Sequence, residues 1–181
     1  MSDVGRLLVA TPLIADPTFE RTVVLLLAHG NEGAFGVVLN RPSATPADEV
    51  SATWASACAA PAVVFVGGPV AGDGVLGLGR PGPGGADGVE ELVGGCVAVD
   101  LHGAPGPDPA AWHGVRLFAG SAGWAPGQLE DELAEGAWWI LDAEPSDLLD
   151  SDPCGLWARV LRRQRSEVAW FAHHPADPSD N

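Results

Sequence analysis

At 181 residues the chain accommodates one ordinary domain with a hydrophobic core and is short for two. Its 24 acidic residues stand against nine basic ones, all arginine, and the net charge of −15 repels nucleic acid and anionic lipid alike. No apolar run approaches the roughly 18 residues of a membrane span, and Thr11, Pro12 and Asp16 break up the N-terminus where a secretory signal is apolar, so a cytoplasmic chain is expected.

Residues 6–10 read as a first strand, stopped by Thr11 and Pro12. Asp16, Pro17 and Thr18 have the composition of a single helical turn, with Asp16 as its cap. Residues 22–28 are β-branched and aliphatic without alternation, the pattern of a strand covered on both faces. A turn over Gly30, Asn31, Glu32 and Gly33 returns the chain through residues 35–39, giving a β-hairpin. Gly36 inside the returning strand marks a bulge or a close backbone approach.

Thr45, Pro46 and Asp48 resemble a capped start for a helix expected to reach about Cys58, with Val50 and Trp54 on its apolar face. Residues 63–66 form a short buried strand running into the Gly67-Gly68-Pro69 turn. A strand over 75–78 is followed by residues 79–88, whose five glycines and two prolines predict a flexible loop. A strand over 96–101, a loop over 103–109 and a helical turn at 110–112 come next.

The block from 115 to 141 is the most explicit. A buried strand over 115–119 is expected to enter a sharp turn of small residues, Gly120, Ser121, Ala122 and Gly123. Pro126 suits the first helical position, Leu129 and Leu133 share a narrow apolar stripe, and Gly136 fits the left-handed residue that ends the helix. The adjacent Trp138 and Trp139 must point to opposite faces of a strand over 137–141, so at least one belongs to the core. A terminal helix over 153–163 turns Leu156, Trp157, Val160 and Leu161 inward. These elements interleave irregularly, which predicts an α+β fold: one domain over residues 1–170, with a strongly bent, mostly antiparallel sheet and helices packed outside. Residues 171–181 read as a disordered tail.

Three blocks carry a family resemblance. Ala122, Gly123, Trp124, Pro126, Gly127, Gln128, Leu129, Glu130, Glu132, Leu133, Ala134 and Trp138 make an AGW-x-PGQLE-x-E-L-A-x-x-x-W motif. DPTFERTVVLLLAHGNEGAFGVVLNRP at 16–42 and VVFVGGPV at 63–70 stand in the order and rough spacing expected with it. Together they resemble the bacterial AlgH/YqgE family, to about Trp157. The resemblance implies a barrel-like sheet and, through an early description of that family as transcriptional regulators, a regulatory role; it implies no reaction.

Among chemical constellations, Ala119-Gly120-Ser121-Ala122-Gly123 lies between a strand and a helix much as a nucleophile elbow does. Its first glycine is Ala119, the helix starts later, and the downstream histidines, His173 and His174, fall in the expected tail. The resemblance also places an aromatic residue at Ser121, so no catalytic residue is assigned. No lysine exists to complete a phosphate loop, and Glu130, Asp131 and Glu132 already offset the dipole of the helix after Gly127. Cys58, Cys96 and Cys154 are widely spaced and odd in number, with no CxxC pair, and no histidine pair has ligand spacing; neither disulfide, metal nor cofactor is expected.

The candidate binding residues are His29, Asn40 and Arg41 at the two ends of the hairpin, Gly67, Gly68 and Pro69 in the glycine turn, and Trp124 and Gln128 at the helix start. Either His29 beside Arg41 lines a polar pocket shared with the glycine turn, or Asn40 and Arg41 fix the turn and pair with an acid such as Asp16 or Glu20. Trp124 is either an anchor folded over the strand 115–119 or an exposed recognition residue. Arg159, Arg162, Arg163 and Arg165 are read as a solvated or self-paired cluster at a helix C-terminus. The expected function is non-catalytic, through contacts with a protein or a small ligand rather than nucleic acid or membrane. A nucleic-acid-associated regulator and a hydrolase with a site near residues 120–124 are the alternatives.

Overall fold

β-Branched and aliphatic runs separated by glycine- and proline-rich turns fold into ten strands and three short helices in the computed structural model, which describes residues 3–83 and 91–173. The strands are β1 (Leu7–Ala10), β2 (Val23–Gly30), β3 (Gly33–Val38), β4 (Pro42–Pro46), β5 (Val63–Val66), β6 (Val70–Pro81), β7 (Glu91–Val93), β8 (Cys96–Val99), β9 (Trp112–Trp124) and β10 (Trp138–Leu141). The helices are α1 (Ala47–Val50), α2 (Gln128–Ala134) and α3 (Leu156–Arg162). The main path runs β10-β1-β2-β3-β9-β6-β8-β7, with β5 beside β9 and β4 beside β5. Among the described residues every pairing between these strands is antiparallel except β5 with β9. The fold is thus α+β and mostly antiparallel, and the sheet does not close on itself among the described residues.

The absence of alternation in β2 has the anticipated cause. Val23 and Leu25 face one apolar cluster with Leu7, Val9, Val37 and the α3 residues Leu156, Trp157, Val160 and Leu161. Val24 and Leu26 face another with Leu8, Ala10, Val38, Trp124, Leu129 and Trp138. The first cluster also takes Phe65 from β5, Leu78 from β6 and Phe118 from β9, so strands far apart along the path bend around one core. The hairpin forms as expected, with a register shift between Leu26 and Ala28. A Cβ on Gly36 would stand 2.4 Å from the Leu25 carbonyl oxygen, so the anticipated close approach is real.

Several local expectations are corrected. Residues 120–123 are not a turn: β9 continues through them to Trp124, bending at Gly120 (φ +69°) and changing partners from β5 and β6 to β3. Pro126 belongs to a turn before α2, and the N-cap is the left-handed Gly127. The helix expected to reach Cys58 stops at Val50 because the chain must dive to bury Trp54, whose indole donates to the Gly103 carbonyl at 3.2 Å and stacks edge-on against Trp112. Val50 is exposed, Thr45 lies in β4, and no side chain caps α1. Residues 79–81 extend β6, Gly82 and Pro83 follow outside the strand, and β7 was not anticipated; residues 84–88 of the expected loop lie outside the described residues.

The C-terminal half matches expectation more closely. Gly136 is left-handed (φ +78°), and the Ala137 and Gly136 amides donate to the Glu132 and Leu133 carbonyls, closing α2 in a Schellman motif. Trp138 is buried in the α2-side cluster while Trp139 packs on the opposite one. Within the stretch read as a tail, Phe171 packs on Trp139 with ring centroids 5.2 Å apart, and Ala172 is buried. The rest of the expected tail, 174–181, lies outside the described residues.

Candidate functional site

Where β3 ends, Asn40 is buried and holds the hairpin mouth: its Oδ1 accepts the Val23 amide at 2.9 Å and its Nδ2 donates to the Arg21 carbonyl at 2.8 Å. Arg21 is a non-glycine residue at positive φ (53°), and the amide side chain satisfies backbone groups that this kink takes out of the ladder. Asn40 thereby fixes the direction of the next residue. The Arg41 carbonyl accepts the Val66 amide at 2.8 Å, and its guanidinium Nη2 donates to the Glu20 carbonyl. Burial pulls the Arg41 guanidinium below its ordinary value, with Glu20 and Cys154 acting the other way; arginine remains charged at neutral pH regardless.

The glycine turn lies flat on β9. A Cβ on Gly67 would stand 2.3 Å from the Gly120 oxygen, and one on Gly68 (φ +147°) would stand 2.2 Å from the Ser121 oxygen. Only glycine fits either position. The Gly67 amide donates to Ala119 and its carbonyl accepts from Val38, locking the turn between β3 and β9. This arrangement opens a cleft of about 300 Å³ lined by Pro17, Thr18, Arg41, Val66, Gly68 and Pro69, among others. Val66 is half exposed at its rim, and among the described residues no carboxylate lies within ion-pairing distance of Arg41.

The other candidate residues fall elsewhere. His29 sits at the tip of the hairpin, away from Arg41, with Nε2 3.1 Å from Glu130 Oε1 and Nδ1 3.5 Å from Asp3 Oδ2. Trp124 is buried beneath α2 rather than over the strand 115–119, edge-on to Trp138 at 5.8 Å and beside Phe19. Its Nε1 donates to Glu132 Oε2 at 2.9 Å; Trp138 Nε1 donates to the same oxygen at 2.8 Å, and Gln128 Nε2 to Oε1 at 2.8 Å. Gln128 Oε1 accepts the Ala125 amide at 3.0 Å. The structure therefore splits the eight residues: Arg41, Gly68 and Pro69 line the cleft with Asn40 and Gly67 beside them in the chain, while His29, Trp124 and Gln128 attach to α2. Glu132 was not singled out from the sequence, although its i, i+4 spacing from Gln128 placed the two on one helical face.

Other chemistry is constrained. Ser121 is buried inside β9, its hydroxyl 3.5 Å from the Val70 carbonyl, which is not an elbow geometry. Arg159 pairs with Asp150 and Asp152, and Arg163 with Asp147 and Glu144, leaving the exposed Arg162 and Arg165 as the solvated members of the basic cluster. The bond to Asp147 holds the Arg163 guanidinium above its ordinary value. The thiols of Cys58 and Cys96 are pushed up by burial, and among the described residues no group of His, Cys, Asp and Glu is arranged to hold a metal ion. No helix among them is long and apolar enough to cross a membrane.

Comparison with known proteins extends these observations. A family model described as AlgH-like matches residues 7–169. A UPF0301 protein of Streptomyces avermitilis is 50% identical over 182 residues, covering 98% of this chain and 94% of that protein. One of Thermobifida fusca is 44% identical over 191 residues, covering 100% of this chain and 96% of its own. The crystal structure of protein DIP2367 from Corynebacterium diphtheriae superposes with a TM-score of 0.86 at 32% identity, over 93% of this chain and 90% of that one. The solution structure of AlgH from Pseudomonas aeruginosa gives 0.68 at 27% identity, over 98% and 96%. The three sequence blocks and the sheet they build thus have counterparts along nearly the whole chain, which belongs to the AlgH-like family.

Proposed function

We propose that the protein is a non-catalytic, cytoplasmic binding protein that takes a small ligand in the Arg41 cleft. The observation that carries this reading is Arg41 itself, a half-buried guanidinium that opens on an apolar-rimmed cleft with no carboxylate in ion-pairing distance among the described residues. A cation desolvated to that extent is usually paired, and one facing an open cleft is suited to an incoming acceptor. The volume sits at the lower end of small-ligand sites, about 300 Å³ and upward. Asn40 and the glycine turn supply a rigid frame, held by backbone and buried side-chain bonds rather than by mobile loops. Among the described residues the cleft lining holds no acid–base pair, and the exposed thiol of Cys154, whose charge acts on Arg41, is not part of that lining, so binding and not turnover is the role it supports.

The reading is tested by equilibrium dialysis of the full chain against the small-molecule fraction of a bacterial cytosol, followed by mass spectrometry. At least one compound is expected to concentrate with the protein and to be lost with Val66→Asp, which places a charge at the exposed rim. Failure of any compound to concentrate, or retention undiminished by Val66→Asp, overturns it.

A further inference from the structure

Resting on that reading, we infer that the cleft selects a small organic monocarboxylate with an apolar body. The cation is an arginine, whose planar fork matches a carboxylate in two parallel hydrogen bonds. One of its nitrogens, Nη2, is already committed to the Glu20 carbonyl, which holds the guanidinium in place. The remaining donors are not among the buried groups that lack a partner, and Arg41 lines the cleft, where an acceptor can approach it.

The charge of the ligand follows from the surroundings. Among the described residues Arg41 is the one cation lining the cleft, Asp16 immediately precedes the lining residue Pro17, and the Glu20 charge, followed by that of Cys154, acts on Arg41. One positive charge flanked by two acids, on a protein of net charge −15, suits a single negative charge and disfavours a phosphate dianion. Apart from the Thr18 hydroxyl and Gly68, the remaining wall is Pro17, Val38, Pro42, Val66 and Pro69, which gives an apolar body a surface to cover. A peptide of several residues exceeds a cleft of about 300 Å³, so a free small acid is the occupant rather than a protein C-terminus.

The experiment titrates the ¹⁵N-labelled full chain with five probes: phenylacetate, neutral phenylacetamide, cationic phenethylamine, inorganic phosphate and an N-acetylated tripeptide with a free C-terminal carboxylate. Phenylacetate is expected to shift the Thr18, Val66 and Gly68 amides with a dissociation constant on the order of millimolar, as its small size allows. It should bind at least about tenfold more tightly than the other four, the value of one charge-assisted bond. Arg41→Met and Val66→Asp should each remove that preference; the second leaves Arg41 intact and substitutes an exposed side chain, so it serves if the first disturbs the fold. Equal or tighter binding of the amide, the amine, phosphate or the tripeptide refutes the monocarboxylate assignment while leaving a binding cleft. If none of the five shifts these amides, the inference and the binding reading fall together.

Discussion

Replacing Glu132 by alanine tests whether one carboxylate clamps α2 to the sheet. The substitution costs little in helix propensity, but it leaves the indole N–H groups of Trp124 and Trp138, both in buried rings, without their acceptor, and frees Gln128. A buried donor left unpaired costs roughly 1–3 kcal/mol. Glu132 is itself partly accessible, so water replaces some of what is lost, and the pair should cost about 3 kcal/mol in total. For a chain of this length each kcal/mol moves Tm by about 2–4 °C, so thermal unfolding should shift down by about 6–12 °C. Glu135→Ala, at an exposed position just past the same helix, is the control and should stay within about 0.5 kcal/mol. A double-mutant cycle with Trp124→Phe should show coupling of about 1–2 kcal/mol. A Tm change under about 2 °C for Glu132→Ala, or a cycle with no coupling, would refute the clamp.

Three further outcomes are expected. Gly68→Ala, whose Cβ would meet the Ser121 carbonyl carbon and oxygen at 2.2–2.3 Å, should fail to accumulate as folded protein or lose more than about 3 kcal/mol in urea titration; near-native stability would show that the turn does not lie on β9 as described. A fluorophosphonate probe should leave Ser121 unlabelled, because the hydroxyl is buried within a strand; labelling abolished by Ser121→Ala would reverse that. Duplex DNA should not bind with sub-micromolar affinity at about 150 mM salt, since Arg159 and Arg163 are internally paired and too few cations remain to release counterions; such binding, weakened by replacing Arg162 and Arg165, would contradict it.

What the sequence made legible was the structure whose cause is local. The β2–β3 hairpin rests on a glycine turn and two apolar runs, α3 on its i, i+4 stripe, and the end of α2 on Gly136, and each was readable from those residues. The run Gly120 to Gly123 misled for a physical reason: small residues signal a turn locally, yet here two of them face the glycine backbone at 67 and 68, lying within 2.3 Å of where side chains would be. Closeness to a distant segment leaves the same signature as a tight turn. The short α1 has a similar origin, its continuation being overridden by the burial of Trp54. At the site, a pocket shared by Arg41 and the glycine turn is one of two readings of the sequence, but it includes His29, which lies by Glu130 and Asp3; the meeting of Arg41 with the turn depends on the pairing of β4 with β5, which no spacing revealed. Glu132 escaped notice because an acid on a helix otherwise rich in exposed acids looks solvated until two indoles are found beside it.

The switch of partners within β9 bears on the order in which the chain can assemble. β1, β2 and β3 are contiguous and can pair as soon as they leave the ribosome, but one edge of that small sheet is completed only by β9 and the other only by β10. Until residues beyond 112 have been synthesised, both edges, the LLVA of β1 and the GAFGVV of β3, present unpaired N–H and C=O groups on apolar strands, the configuration most prone to intermolecular pairing. β9 also joins β5 and β6 to the same sheet, so one late segment closes contacts of long sequence separation, which slow folding. Synthesis of the C-terminal third, rather than collapse of the apolar N-terminal strands, therefore sets how long the nascent protein stays vulnerable to aggregation.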